Sequence, residues 1–298
     1  MKKIITLGID LKDEHKKQLE TIGDLKSLES PESVADFLAK SEGADVIYSD
    51  GSYLLESLPK LNNVFVTYPY IELGSFSSEE LEKNGVLIAN ARGGNRDSIV
   101  EWVMYMALSL FRQFFAKVRA TENFPFELQE SLSGKKVLIV GRGSIGSQIG
   151  VLCQAFGMEV GFFERGDNLL DSSKDVDLVV NALNCNPGSK NLLNESFFMN
   201  LKPGCYFITF VRLYTYDIDG LIKAINSGII AGAAIDCDPE SFGDTTNDFY
   251  QKALSNSKIL VTPHIAFSTK QASANGREIA IQNIEAFIKG EPKNIVRK

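Results

Sequence analysis

Three side chains suited to proton transfer and anion binding follow apolar runs in the second half of the sequence. They are Arg212, Asp236 and His264, after runs that end at Phe210, Ile235 and Val261. A histidine can transfer a proton near neutral pH, and an arginine can bind a carboxylate and polarise a carbonyl. Each also has a structural interpretation, because His264 can hydrogen-bond a backbone carbonyl and Arg212 can form a surface ion pair. Whether they act together depends on the elements that carry them.

The apolar runs predict short strands that alternate with helices. In the first part of the chain, strands are predicted over 3–9, 46–48, 64–67 and 86–89, with helices over 13–22, 34–39 and 79–83. This alternation indicates βαβ units and a parallel sheet. Ligands of open parallel sheets bind beyond the carboxyl ends of the strands, so we expect Arg212, Asp236 and His264 to converge there.

A glycine-rich turn joins a predicted strand to a predicted helix in the middle of the sequence. An apolar strand over 135–140 leads into Gly141-Arg142-Gly143-Ser144-Ile145-Gly146 and then into a helix over 147–156. In such turns the first glycine permits a tight bend, the second lets the backbone approach a pyrophosphate, and the third lets helix and strand pack closely. The pyrophosphate faces the N–H groups at the start of the helix. The flanking strand and helix, more than the glycines alone, predict a dinucleotide site.

The strand predicted over 159–163 bears on the choice of dinucleotide. It ends at Glu164, and Arg165 follows. An acidic residue here accepts hydrogen bonds from the adenosine ribose hydroxyls and repels a 2′-phosphate, although it could also be a solvated charge at a strand end. Arg165 acts in the opposite direction, because a guanidinium can hold a phosphate. We expect NAD as the cofactor, with NADP less favoured.

Composition argues against several other classes of protein. The 298 residues suffice for two domains, and 31 basic against 38 acidic residues give a net charge of -7, which disfavours nucleic acid or an anionic membrane as a partner. No apolar run approaches the roughly 20 residues of a membrane helix. With two histidines, and four cysteines without a C-x-x-C pair, the sequence predicts no metal site and reduced thiols in a cytoplasmic protein.

The longest predicted helix covers about 98–119. Its core, Trp102-Val103-Met104-Tyr105-Met106-Ala107-Leu108, is apolar nearly all round. Such a helix is buried between domains or against a second subunit. We expect it to form the interface of a homodimer.

Several motifs along the chain resemble those of the D-isomer-specific 2-hydroxyacid dehydrogenases. They are Asn95-Arg96-Asp97-Ser98-Ile99-Val100-Glu101, the turn 141–146, Leu201-Lys202-Pro203-Gly204 with Arg212 and Asp217, Gly232-Ala233-Ala234-Ile235-Asp236, and Thr262-Pro263-His264-Ile265-Ala266. With this resemblance we predict an α/β protein of two Rossmann-like domains with parallel sheets. The substrate domain is flavodoxin-like and split, over 1–91 and 267–298. The NAD-binding domain covers 92–266, and hinges near Gly93 and Ala266 would close the cleft.

The resemblance implies roles for the site residues. His264 would give a proton to a 2-keto oxygen, Arg212 would bind the keto oxygen and the carboxylate, and Asp236 would hydrogen-bond the nicotinamide carboxamide. The family's glutamate that pairs with the histidine corresponds to Glu240 if one residue is deleted, with Asp238 as the alternative. The implied activity is the NAD-dependent interconversion of a 2-keto acid and a D-2-hydroxy acid, in a homodimer.

The predicted substrate loop departs from the family pattern. It corresponds to Tyr70-Ile71-Glu72-Leu73-Gly74, in which both expected glycines are replaced. In addition, Leu213-Tyr214 follows Arg212 where the family has glycine, and Asn184 replaces a proline near the cofactor. We expect Tyr70 and Ile71 to contact a substrate in an altered pocket, so the identity of the substrate does not transfer.

Two other functions remain open from the sequence. A formate- or phosphite-type dehydrogenase on the same fold is disfavoured by Glu240, because the formate enzymes carry glutamine there. A non-catalytic NAD(H)-binding regulator is favoured by the altered loop and disfavoured by the presence of Arg212, Asp236 and His264.

Overall fold

The computed structural model describes residues 1–71, 73–74, 76–118, 120–121, 126–164, 166–237 and 243–297. The chain divides into two compact units. Unit 1 comprises Met1–Asn95 and Thr269–Lys298, and unit 2 comprises Arg96–Ser268. Across the described ranges, no helix combines the length and apolar character needed to cross a bilayer.

Unit 1 is a parallel sheet covered by helices on both faces. Its strands are β1 (Lys2–Leu7), β2 (Gly23–Leu28), β3 (Val46–Ser49), β4 (Phe65–Thr67) and β5 (Leu87–Ala89). Its helices are α1 (Asp13–Ile22), α2 (Val34–Lys40), α3 (Leu54–Ser57), α4 (Ser78–Lys83) and α12 (Lys270–Ile288). The strand order β2-β1-β3-β4-β5 is the flavodoxin-like one, and α12 comes from the C-terminal end of the chain. The predicted flavodoxin-like, split architecture is confirmed.

Alternating side chains of these strands enter two separate apolar layers. Ile4 and Val46 pack with Ile284 of α12, whereas Ile5 and Ile47 pack with helices on the opposite face. A parallel sheet covered on both faces needs apolar residues at successive positions, which explains the uninterrupted apolar runs of the sequence.

Unit 2 is a second parallel sheet with helices on both faces. Its strands are β6 (Lys136–Val140), β7 (Glu159–Phe163), β8 (Leu178–Asn181), β9 (Cys205–Thr209), β10 (Ile230–Asp236) and β11 (Ile259–Thr262). Its helices are α5 (Arg96–Phe111), α6 (Phe114–Val118), α7 (Ser144–Ala155), α8 (Leu169–Ser173), α9 (Glu195–Met199), α10 (Ile218–Asn226) and α11 (Asp248–Leu254). In the order β11-β10-β9-β8-β6-β7, the chain adds β7 on one side of β6 and the later strands on the other, so the strand order switches between β6 and β8. Such a reversal opens a crevice at the carboxyl ends of the strands.

The prediction of a single helix over about 98–119 is wrong. α5 ends at Phe111, and a separate short helix, α6, follows. Gln113 between them has a φ of 47°, in the left-handed region that commonly terminates a helix. Tyr105 and Leu108 of α5 are exposed in the single chain. Residue 119 lies outside the described residues.

Strand β2 was not predicted from the sequence. It lies at the edge of its sheet and pairs only with β1. Most of its side chains are at least partly exposed, so its sequence, Gly-Asp-Leu-Lys-Ser-Leu, lacks the apolar run of a central strand.

Candidate functional site

The glycine turn begins where β6 ends. Gly141 has a φ of 111°, and a Cβ there would lie 2.6 Å from the carbonyl oxygen of Ala182. A Cβ on Gly146 would overlap the carbonyl oxygen of Gly141. Larger residues are therefore excluded at both positions, by backbone conformation at the first and by the close approach of helix and strand at the second.

The start of α7 offers backbone N–H groups to a ligand. Gly143 is the N-cap residue, no side chain caps the helix, and a Cβ on Gly143 would meet open space. Ser144 and Ile145 form the first turn. Uncapped N–H groups at a helix N-terminus attract anions, and the missing side chain lets a phosphate approach the backbone. These residues fit the pyrophosphate of a dinucleotide.

Glu164 follows β7 and forms an ion pair across the glycine turn. Its Oε1 lies 2.7 Å from Nη1 of Arg142, and both side chains are about half exposed. The Arg142 guanidinium also lies 4.8 Å from the ring centroid of Phe162. Sequence reasoning placed Arg142 and Glu164 in the cofactor site but did not pair them. Arg165 lies outside the described residues.

Arg212 follows β9 in a tight turn. It is exposed, and a short 3₁₀ helix, Leu213–Thr215, begins directly after it. Its carbonyl oxygen accepts hydrogen bonds from the backbone N–H and the hydroxyl of Thr215, both at 3.1 Å. The backbone of this arginine is therefore fixed although its side chain reaches solvent.

Asp236 ends β10 and is only 4% exposed. Its Oδ1 accepts hydrogen bonds from the Thr262 hydroxyl at 2.6 Å and the Ile265 N–H at 2.9 Å, and its Oδ2 accepts one from the Ala266 N–H at 2.9 Å. Burial raises the pKa of the Asp236 carboxyl above its ordinary value, against the opposing effect of these hydrogen bonds. The carboxylate thus anchors the turn that carries His264.

His264 lies in a strained backbone conformation. Its φ is 58°, and its N–H donates to the carbonyl oxygen of Thr262 at 3.1 Å. A non-glycine residue in this region costs on the order of 1–3 kcal/mol and persists only where its surroundings hold it. The half-buried ring stands at 82° to that of Phe267, with centroids 5.6 Å apart. The Asp236 hydrogen bonds supply the restraint that this conformation requires.

These residues lie along one edge of the unit 2 sheet. Because all six strands are parallel, their carboxyl ends share that edge. In strand order it carries His264, Asp236, Arg212, the glycine turn and Glu164. The groups that fit a dinucleotide thus occupy one end of the edge, and the groups capable of proton transfer and anion binding occupy the other.

The predicted substrate residues lie in unit 1, after β4. Tyr70 is 51% exposed, and its carbonyl oxygen accepts a hydrogen bond from the Ala91 N–H at 2.9 Å. The Ile71 carbonyl oxygen accepts one from the Asn90 side chain at 2.8 Å. Glu72, Asp238 and Glu240 lie outside the described residues. Within the described ranges, no group of three histidine, cysteine, aspartate or glutamate side chains could hold a metal ion.

Three polar residues in unit 2 were missed by sequence reasoning. Asn181, Thr209 and Thr215 are fully buried beside Arg212, and the Asn181 side chain donates a hydrogen bond to each threonine hydroxyl. The available signal was a polar residue at the end of each of two apolar strands.

A model of the NAD-binding domain of D-isomer-specific 2-hydroxyacid dehydrogenases matches residues 102–266. The chain therefore belongs to the D-isomer-specific 2-hydroxyacid dehydrogenase family.

Relatives of similar sequence include two bacterial enzymes. The D-3-phosphoglycerate dehydrogenase of Haemophilus influenzae is 31% identical over 243 residues, which cover 76% of this chain and 59% of that protein. The D-lactate dehydrogenase of Staphylococcus epidermidis is 27% identical over 248 residues, which cover 74% of this chain and 75% of that protein. The chain thus spans little more than half the length of the first relative.

Solved structures share the fold. The D-mandelate dehydrogenase of Rhodotorula graminis gives a TM-score of 0.83 at 17% identity, covering 100% of this chain and 98% of that chain. The NAD-complexed D-isomer-specific 2-hydroxyacid dehydrogenase of Lactobacillus delbrueckii ssp. bulgaricus gives a TM-score of 0.80 at 20% identity, covering 99% of this chain and 100% of that chain.

Proposed function

We propose that this protein is an NAD-dependent oxidoreductase that interconverts a 2-keto acid and a D-2-hydroxy acid. The observation that carries the proposal is the order of residues along the carboxyl edge of the unit 2 sheet, from the glycine turn through Arg212 to His264. The family and the relatives named for D-lactate and D-3-phosphoglycerate support the same reaction class.

The glycine turn and Glu164 would hold the cofactor. The N–H groups at the start of α7 would bind the pyrophosphate, and Glu164 would accept hydrogen bonds from the adenosine ribose. When bound, NADH would supply the hydride for reduction of the keto carbon. The charge of Glu164 favours NAD, although its ion pair with Arg142 weakens the repulsion of a 2′-phosphate.

Arg212 and His264 would act on the substrate. Arg212 would bind the carboxylate and polarise the keto group, because its guanidinium offers a fork of donors. His264 would donate the proton that the keto oxygen requires, and would take it back in the oxidation direction. Asp236 holds the His264 turn, and its carboxylate would also accept a hydrogen bond from the nicotinamide carboxamide when the cofactor is bound. Glu240, or alternatively Asp238, would pair with His264.

Tyr70 and Ile71 would contribute to substrate binding. Their carbonyl oxygens are held within unit 1, so the peptide group between Tyr70 and Ile71 has a defined orientation, while the Tyr70 side chain is about half exposed. The choice among 2-keto acids would depend on this loop.

A turnover assay tests the proposal. NADH oxidation is measured with a panel of 2-keto acids that differ in side-chain size and charge, and chiral analysis of the product establishes the D configuration. Formate and phosphite with NAD serve as the comparison substrates. Tight NADH binding without turnover of any 2-keto acid would replace the proposal by the regulatory function.

We also propose that the protein is a homodimer through α5 and α6. Tyr105 and Leu108 of α5 and Phe114 and Val118 of α6 are large, apolar and exposed. Contiguous exposed apolar side chains mark protein interfaces. Light scattering should give about twice the 32.8 kDa chain mass, and Leu108→Glu should lower it. Val151→Glu, at an exposed apolar position on α7, is the control that should leave the mass unchanged; a monomer at micromolar concentration would contradict the proposal.

We also propose that the protein is cytoplasmic. Burial raises the pKa of the Cys153 and Cys205 thiols to about 12, so both thiols stay protonated and react slowly with oxidants. Cell fractionation tests this localisation.

A further inference from the structure

A buried polar network lies at the centre of the unit 2 edge. Asn181 ends β8 and Thr209 ends β9, directly opposite each other in register. The Asn181 amide nitrogen donates to the Thr209 hydroxyl oxygen at 3.2 Å and to the Thr215 hydroxyl oxygen at 2.9 Å. All three residues are fully buried. Both amide hydrogens are used, and the amide oxygen accepts from the Leu183 N–H at 3.3 Å.

The network fastens both sides of the Arg212 turn. On one side, the Thr209 hydroxyl oxygen accepts a hydrogen bond from the Val211 N–H at 3.3 Å. On the other, the Thr215 hydroxyl donates to the Arg212 carbonyl oxygen at 3.1 Å. Asn181 bonds to both threonines, so it links the two ends of the Arg212 turn, at residues 209 and 215.

The two residues that follow Asn181 in the chain pack against the glycine turn. A Cβ on Gly141 would lie 2.6 Å from the Ala182 carbonyl oxygen and 3.1 Å from the Leu183 nitrogen. The Asn181–Leu183 hydrogen bond therefore fixes a stretch of backbone that packs directly against the glycine turn. One side chain thus links the two parts of the edge.

Stability alone is a poor reason for an amide at this place. The preceding residues of β8 are Leu178, Val179 and Val180, and an apolar residue would continue that layer. A buried amide must have its hydrogen bonds satisfied, and a satisfied one adds little net stability, whereas it specifies a single arrangement. We propose that Asn181 is a positioning residue, which holds the Arg212 turn in a fixed position relative to the glycine turn. This inference rests on the role proposed for Arg212.

The test compares variants of the network with a variant of the same strand. Asn181→Leu removes every hydrogen bond of the Asn181 side chain. Thr215→Val removes the hydrogen bonds of the Thr215 hydroxyl while preserving the shape of the side chain. Val179→Ala, on the same strand and face, removes apolar packing but none of the hydrogen bonds of the network. Each variant is measured for NADH affinity, kcat, KM for the 2-keto acid, and amide hydrogen exchange over 211–216.

We expect Asn181→Leu and Thr215→Val to lower kcat/KM for the 2-keto acid by about 10–100-fold, since misplacement by about 1 Å can have effects of that size. Exchange over 211–216 should accelerate in both. NADH affinity should change by less than about threefold in Thr215→Val, which keeps the Asn181–Leu183 hydrogen bond, and should fall further in Asn181→Leu, which loses it. Val179→Ala should retain kcat/KM and the slow exchange. If Asn181→Leu does not fold, Thr215→Val carries the same test.

A double variant shows whether Asn181 acts through Arg212. Arg212→Ala with Asn181→Leu should be no less active than Arg212→Ala alone, because the positioned group is already absent. Additive losses, or normal exchange in Asn181→Leu, would overturn the inference. If Arg212→Ala keeps full turnover, the proposed function fails instead, and the exchange data alone decide whether Asn181 holds the turn.

Discussion

The carboxyl edge of the unit 2 sheet and the loop after β4 in unit 1 are built in different ways. At the edge, buried side chains hold the backbone of each candidate catalytic residue: Asp236 holds the His264 turn, and Asn181 with two threonines holds the Arg212 turn. In the loop, hydrogen bonds restrain the carbonyl oxygens of Tyr70 and Ile71, but the Tyr70 side chain is half exposed.

Under the proposed function, this difference would separate the residues that carry out the reaction from those that select the substrate. Groups that move a proton or stabilise charge need a geometry fixed to within a fraction of an ångström, which buried networks provide. A loop on the surface tolerates substitution and can be adapted to new ligands. The loop is also where the sequence departs from the family pattern, whereas the edge retains its arginine, aspartate and histidine.

The largest expected effect is at the edge. His264→Ala should lower the rate of 2-keto acid reduction by about 10²–10⁴-fold, the usual contribution of a positioned acid/base. NADH affinity should be unchanged, because the glycine turn and Glu164 lie at the other end of the sheet. Steady-state kinetics and NADH fluorescence titration measure both quantities. His15→Gln, in the other histidine of the chain and on α1 of unit 1, is the control; equal turnover in His264→Ala and wild type would exclude the acid/base role.

The anchor of that histidine should have the next largest effect. Asp236→Asn keeps the shape of the side chain but replaces one acceptor oxygen by an NH₂ donor. The asparagine side chain therefore cannot accept hydrogen bonds from both the Ile265 and Ala266 N–H groups in the present geometry. Hydrogen bonds to a charged group contribute about 1.5–3 kcal/mol, so we expect a loss of unfolding free energy in that range. Activity should fall by about 10–100-fold as the His264 turn relaxes. Chemical denaturation and kinetics check this, and retention of full activity with lowered stability would show that His264 is held by other contacts.

The sequence was sufficient for features that depend on neighbouring residues. Gly141, Gly143 and Gly146 could be located because their motif lies between an apolar strand and a helix, and Arg212, Asp236 and His264 because each follows such a strand. Contacts between residues distant in sequence could not be predicted. The Arg142–Glu164 ion pair, the Asp236 anchor and the Asn181 network arise only when the strands are placed side by side. The break at Gln113 was missed because no glycine or proline marks it and apolar residues resume directly after it, at Phe114 and Phe115.

The cofactor end of the edge is an exception to the buried design, since Arg142 and Glu164 are both about half exposed. Without Arg142, the Glu164 charge is no longer neutralised, so Arg142→Ala should raise the preference for NAD over NADP. Glu164→Gln removes the repulsion and releases Arg142 toward a 2′-phosphate, so it should lower that preference. We expect changes of about 3–10-fold in the ratio of dissociation constants, because exposed ion pairs are weak. Lys174→Ala, which breaks an exposed pair with Asp171 in α8, is the control. Shifts in the same direction for both variants would mean that the pair does not determine cofactor choice.

The smallest effect is expected in the loop, and it tests the comparison most directly. Tyr70→Ala removes a half-exposed side chain whose backbone carbonyl remains bonded to the Ala91 N–H, so unfolding free energy should change by less than about 0.5 kcal/mol. Contacts with a substrate side chain are worth a few-fold to about a hundredfold in specificity, and a partly solvated residue belongs at the lower end. We therefore expect KM values to shift by about 2–10-fold, by different factors for small and bulky 2-keto acids, with kcat nearly constant. Tyr53→Ala, at another exposed tyrosine of unit 1, should leave every KM unchanged. A uniform fall in kcat for all substrates would instead place Tyr70 among the groups that set the reaction geometry, and the separation between a fixed edge and an adaptable loop would not hold.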